Sequence, residues 1–89
     1  MFEIRQAQEK DCALILEFIR RLADYEKLLN EVTATEEDVR RELFTEPASA
    51  HALIACEDGK AVGFALYFYN FSTFLTRRGL YLEDIFIDP

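Results

Sequence analysis

The chain has 89 residues, with ten Lys and Arg against seventeen Asp and Glu, giving a formal net charge of −7. That length allows one small domain whose folding buries roughly 60–65% of the unfolded surface, and a 51% hydrophobic fraction with eight Phe and four Tyr excludes a disordered chain. The acidic balance repels phosphate backbones and anionic membrane surfaces, so nucleic acid and lipid are not expected as partners and a cationic partner is.

The opening residues Phe2-Glu3-Ile4-Arg5-Gln6 alternate apolar and polar, which predicts a first strand with one buried face. Leu14, Phe18, Leu22 and Tyr25 then recur at helical offsets, joined by Ile15 and Ile19, and predict an amphipathic helix over residues 9–28. A second helix opens at Thr35, whose hydroxyl caps it while Glu36, Glu37 and Asp38 favour the positive end of its dipole. Val39, Leu43 and Phe44 form its apolar stripe, and Pro47 stops it. Residues 51–57 read as a strand. Asp58-Gly59 follows as a two-residue hairpin signal, since both positions tolerate positive φ. The returning strand, 60–69, is apolar on both faces, Val62, Phe64, Leu66 and Phe68 on one and Gly63, Ala65, Tyr67 and Tyr69 on the other, and so is expected to be covered on two sides. Residues 70–79 read as a loop, and a last strand starts near Leu80. The order strand, two helices, three strands predicts an α+β domain with both helices against a mainly antiparallel sheet.

No apolar stretch of about 18 residues occurs, and the first residues lack the basic-then-apolar order of a signal peptide, so a cytoplasmic location is expected. Cys12 and Cys56 are isolated, and His51 has no second histidine, so no metal site is expected and two buried thiols are. Tyr67, Phe68, Tyr69, Phe71 and Phe74 read as core and loop packing, and Arg77 with Arg78 as a solvated loop.

The last strand carries the most informative feature. Tyr81-Leu82-Glu83-Asp84-Ile85-Phe86-Ile87 sets two adjacent carboxylates in apolar surroundings, where a charge needs a partner or a task. Strict alternation sends Glu83 to one face with Tyr81, Ile85 and Ile87, and Asp84 to the other with Leu82 and Phe86. From the residues alone, Glu83 is better read as a surface strand residue or as the partner of Arg77 or Arg78 than as a reactive group.

Arg5, Asp11-Cys12, Leu22-Ala23-Asp24-Tyr25-Glu26, the Thr35-Glu36-Glu37-Asp38 start, Val62-Gly63-Phe64-Ala65-Leu66-Tyr67 and the final strand occur in an order that resembles the N-terminal half of the diamine (spermidine/spermine-type) N-acetyltransferases, a branch of the GNAT superfamily. The resemblance spans essentially the whole chain. It implies a GNAT-type mixed, mainly antiparallel sheet (β-α-α-β-β-β) and transfer of an acetyl group from acetyl-CoA to a small amine such as a diamine or polyamine. It also implies roles for residues: Glu83 as catalytic base and amine contact, Tyr25 and Glu26 as the substrate-binding pair, and Asp84 in support of them. Ile85, Phe86 and Ile87 match the strand edge that binds the pantetheine arm of the cofactor.

The family's diphosphate loop, a basic residue followed by Gly-x-Gly, has no counterpart in residues 1–89, where only Gly59, Gly63 and Gly79 occur. Residues 1–89 are therefore expected to form a partial domain ending before that loop. Most of the acetyl-CoA site would lie beyond residue 89, and the chain alone would be inactive. Its last strand would expose an apolar edge, from which a homodimer or strand-swapped oligomer is expected. The competing reading is a non-catalytic half-domain that associates through that edge.

Overall fold

A computed structural model describes residues 1–88, in which four strands, β1 (Phe2–Gln6), β2 (His51–Glu57), β3 (Lys60–Ser72) and β4 (Arg77–Ile87), form one sheet in the order β1-β2-β3-β4. Every neighbouring pair is antiparallel. Two helices, α1 (Cys12–Tyr25) and α2 (Glu36–Leu43), connect β1 to β2. The α+β architecture read from the sequence is the one observed.

Both helices pack on one face of the sheet. Cys12, Ile15, Leu16 and Phe18 of α1 and Val39 of α2 bury against Ala52, Ile54 and Phe64. Phe18 and Phe64 stack at 5.8 Å, and Phe86 lies 6.1 Å from Phe18. Fully burying each such side chain stabilises the fold by about 1.5–3 kcal/mol.

The opposite face is left open, contrary to the expectation that β3 is covered on two sides. Phe2, Ile4, Leu80, Leu82, Ile85 and Ile87 are all exposed. The apolar face of β1 is thus the uncovered one, and Arg5 points its guanidinium to the helix side. There it makes a two-pronged ion pair with Asp11, at 2.8 and 3.0 Å, while the Gln8 N–H donates to the same carboxylate at 2.7 Å.

Asp11 ends a 3-10 turn (Glu9–Asp11) that leads into α1, so the regular helix is shorter than residues 9–28. At its other end the Leu28 N–H donates to the Ala23 carbonyl at 2.7 Å and the Lys27 N–H to the Asp24 carbonyl at 3.0 Å, with Lys27 at φ 62°. This is the Schellman arrangement, with Lys where Gly is usual. Tyr25, expected to close the apolar stripe, is 82% exposed. At α2 the Thr35 hydroxyl accepts from the Asp38 N–H, the cap expected from the sequence, and the Asp38 carboxylate accepts in return from the Thr35 N–H. The helix finishes at Leu43, ahead of Pro47.

Asp58 and Gly59 make the β2–β3 turn at φ 51° and 82°, as expected. The β3–β4 hairpin is longer than expected, because Asn70, Phe71 and Ser72 pair with Gly79, Arg78 and Arg77 where a loop was read. Polar composition suggested a loop, but a hairpin arm standing in water accepts polar side chains on a regular ladder. Thr76 supplies positive φ at its turn, and Arg78 stacks over Tyr69 at 5.1 Å.

Candidate functional site

The two adjacent carboxylates of β4 lie at an irregularity. Leu66 pairs with Asp84 but the next residue, Tyr67, pairs with Leu82, so Glu83 is an extra residue without a cross-strand partner. Such a bulge resets the alternation of the strand. Asp84 therefore faces the helices with Phe86. Beyond the bulge it is Tyr81 that turns to the helix side, where it stacks on Phe68 at 5.1 Å, and Leu82 that joins the open face. The division of faces expected from the sequence holds for Asp84 and Phe86 against Ile85 and Ile87, and fails before Glu83, where Leu82 and Tyr81 have exchanged faces for this one reason.

Asp84 lines a cleft of about 210 Å³ together with Ile19, Leu22, Ala23, Glu26, Leu28, Glu31 and Val32. The Schellman turn builds this wall. It holds Glu26 at the end of α1, folds Leu28 back beneath the helix, and hands the chain to a 3-10 turn (Leu29–Glu31) that brings Glu31 to the same cleft. Glu26 and Asp84, both expected in the substrate site, are thus brought together. Glu31 was not singled out by sequence reading; its only signal is a carboxylate shortly after the Tyr-Glu pair.

A second cleft, of about 280 Å³, is lined by Leu22, Tyr25, Ile85, Phe86 and Ile87. It unites Tyr25 with all three residues matched to the cofactor strand, and Leu22 is the wall common to both clefts. Phe86 is half-buried against the core, whereas Ile85 and Ile87 are exposed. The Asp88 N–H donates to the Val62 carbonyl at 2.6 Å. By the two-residue period of an antiparallel ladder, the backbone groups of Asp84, Phe86 and Asp88 face β3, and those of Ile85 and Ile87 face the free edge. Arg21 ties this end of β4 to α1 through Asp88 at 2.9 Å.

Glu83 itself is exposed and lines neither cleft. Among the described residues no ion pair joins it to Arg77 or Arg78, and none involves Glu26, Glu31 or Asp84. Cys12 is buried, which pushes its thiol up, and Cys56 is half-buried; both are free. No helix among the described residues is long and apolar enough to cross a membrane. Chemically, the arrangement offers unpaired carboxylates that attract a cation, and beside them an apolar strand edge with free backbone donors and acceptors.

The profile of the acetyltransferase (GNAT) family matches residues 8–89. Among curated proteins, the chain is 42% identical over 94 residues to the thialysine N-epsilon-acetyltransferase of Sus scrofa, covering 97% of this chain and 55% of that one. It is 36% identical over 93 residues to the spermidine/spermine N(1)-acetyltransferase-like protein 1 of Homo sapiens, covering 97% of this chain and 13% of that one. A possible acetyltransferase from Clostridium difficile 630 shares the fold, with a TM-score of 0.76 at 22% identity over 99% of this chain and 58% of its own. The chain spans about half the length of the thialysine acetyltransferases it matches. With a family profile over nearly all of its residues and acetyltransferases among both its sequence and its structural neighbours, the chain belongs to the acetyltransferase (GNAT) family.

Proposed function

We propose that residues 1–89 are the N-terminal portion of an acetyl-CoA-dependent N-acetyltransferase for a small primary amine, a diamine or polyamine, ending before the Gly-x-Gly loop and inactive without the rest of the domain. The observation that carries this reading is the adjacency of two clefts across Leu22, one walled by Glu26 and Asp84 and the other by Tyr25 and the free edge of β4. Acetyl-CoA supplies an acetyl group already activated as a thioester. The outward backbone groups of Ile85 and Ile87 are suited to pair with the amides of its pantetheine arm as a neighbouring strand would, while the apolar walls exclude water. Across Leu22, Glu26 and Asp84 attract the ammonium groups of the amine. An ammonium has no lone pair, so it must lose a proton before attack. Glu83, exposed next to Asp84, is assigned to take that proton, directly or through a water.

The relatives' names have a primary amine in common, that of the amino acid thialysine in one case and of the polyamines spermidine or spermine in the other. The test is a chimera that continues this chain with the C-terminal portion of the porcine relative. It is expected to acetylate 1,3-diaminopropane, and the 89-residue chain alone is not. A folded chimera that binds acetyl-CoA yet acetylates no primary amine would overturn the reading.

Self-association is a second reading, favoured by the exposed row Leu80, Leu82, Ile85 and Ile87 at the edge strand. Light scattering on the purified chain is expected to give a dimer or larger mass, reduced to a monomer by Leu82→Lys. A monomer at high concentration before any substitution removes this reading.

A further inference from the structure

Of the residues that line the two clefts, Leu22 alone belongs to both. It lies one turn before the end of α1, where its carbonyl accepts from the Glu26 N–H at 3.1 Å. Its side chain is half-buried and packs against the core, which restrains its rotamer. The neighbouring Arg21 bridges to Asp88 at 2.9 Å and ties α1 to β4 at this level. Leu22 is therefore an apolar wedge held between the carboxylate-lined cleft and the strand edge.

In the proposed reaction the amine comes from one cleft and the thioester from the other, and they meet with the nitrogen about 3–3.5 Å from the carbonyl carbon. The neutral amine forms a C–N bond as the C–S bond breaks. The acyl group passes to nitrogen, and one amine proton ends on the departing thiol. Both reacting atoms then lie beside the one residue that the clefts share. The acyl tail hangs from the carbonyl carbon at this same junction, against the Leu22 side chain. An acetyl tail is a single methyl group, and each further methylene has to displace part of a branched side chain packed in place.

We infer that Leu22 is a specificity-determining residue that limits the acyl donor to acetyl-CoA, by filling the space that a longer acyl chain would need. The inference rests on the acetyltransferase reading, and a binding measurement keeps the two separable.

The test uses the chimera with acetyl-CoA, propionyl-CoA and butyryl-CoA as donors and 1,3-diaminopropane as acceptor. Wild-type kcat/KM is expected to fall roughly tenfold for each added methylene. Leu22→Val, one carbon smaller, should bring propionyl transfer within about threefold of acetyl transfer and leave butyryl transfer low. Leu22→Ala should bring butyryl transfer within about threefold as well. Calorimetry without the amine gives an independent readout. Butyryl-CoA should bind the wild type at least about threefold more weakly than acetyl-CoA, and Leu22→Ala should remove that difference. Leu14→Ala, on the same helix but in neither cleft, should keep the wild-type order of donors. A general loss of stability lowers all three donors together and leaves their ratios unchanged.

Far-UV circular dichroism confirms that each variant is folded, and if Leu22→Ala is not, the propionyl ratio in Leu22→Val decides. Equal use of the three donors by the wild type, or the same relaxation in Leu14→Ala, would overturn the inference. A chimera that acetylates the diamine with an unchanged donor order in the Leu22 variants keeps the enzyme and removes the role of Leu22. Leu22-dependent selection in thioester binding without transfer to any amine does the reverse. No binding of either thioester overturns both.

Discussion

Gly63 of β3 lies so close to Ile87 of β4 that a β-carbon at position 63 would fall 2.6 Å from the Ile87 Cδ1 and against the Phe86 carbonyl oxygen. The absent side chain is what lets β4 approach here. The same stretch of β4 presents the backbone groups of Ile85 and Ile87 at the free edge and walls the cleft with Tyr25. Gly63→Ala is therefore expected to push β4 outward, since the obstacle includes a backbone carbonyl that no rotamer change can move aside. Overpacking of this kind costs about 1–3 kcal/mol. Denaturant unfolding of the chain should show that loss, and acetyl-CoA affinity in the chimera should fall with it. Wild-type stability in Gly63→Ala would show that β4 is not held by this contact.

The bulge at Glu83 gives two neighbouring acids different surroundings. Asp84 faces the cleft with Glu26, and Glu83 stands outside it. In the chimera, Glu83→Gln should lower kcat by at least about tenfold at neutral pH and flatten the rise of rate with pH, leaving the KM for the amine within a few-fold. Asp84→Asn should instead raise the KM for a diamine by roughly three- to tenfold with a smaller effect on kcat. If the pH profile moves in Asp84→Asn and stays put in Glu83→Gln, the base is Asp84.

The parts of this fold that depend on period were legible in the sequence. Thr35 and Asp38 announce the second helix, Asp58-Gly59 announces its turn, and β2 has the bounds that its apolar run suggests. What was not legible depends on the third dimension. Nothing in Leu82-Glu83-Asp84 reveals that Glu83 is an extra residue in the ladder, because a bulge is defined by the partner strand. Nothing in Phe2 or Ile4 says whether their face is covered, because alternation marks an apolar face without naming its neighbour. Within the candidate site, Glu26 and Asp84 were found through motifs. Glu31 was missed because its position follows from how α1 ends, and the residue at the critical position there is a lysine rather than a glycine.

That lysine gives a prediction of its own. Lys27 holds φ 62°, a left-handed conformation that costs a side-chain-bearing residue about 1 kcal/mol and a glycine almost nothing. Against this stands the greater unfolded-state entropy of glycine, so the net gain from Lys27→Gly is expected to be about 0.5 kcal/mol. Lys27→Val, with a branched β-carbon, should lose about 1 kcal/mol or more and loosen the turn that positions Glu26 and Leu28. Thermal unfolding of the three chains should rank them Gly, Lys, Val. The reverse order would mean that this helix end is not closed by the left-handed residue.

Asp11 is expected to limit the stability of the fold in acid. It is 5% exposed, accepts two bonds from Arg5 and one from the Gln8 N–H, and stands where β1 passes into α1. The Arg5 guanidinium, aided by that N–H, holds the Asp11 carboxyl below the usual carboxylate range, and burial opposes this less strongly. Because the folded-state value is depressed, ionised Asp11 contributes stability that is fully present above the unfolded value, near pH 4. That contribution is lost as the pH falls through the lower folded-state value. Between those limits the unfolded chain binds a proton at Asp11 that the folded chain does not, so stability declines with acidification. Asp11→Asn should remove this part of the acid limb and lower stability at pH 7 by about 2 kcal/mol, as expected when a buried charge-assisted bond loses its charge. Unfolding free energies measured from pH 7 to pH 2 should therefore converge for wild type and variant at the acid end. Parallel curves would mean that the Arg5–Asp11 pair does not govern acid stability.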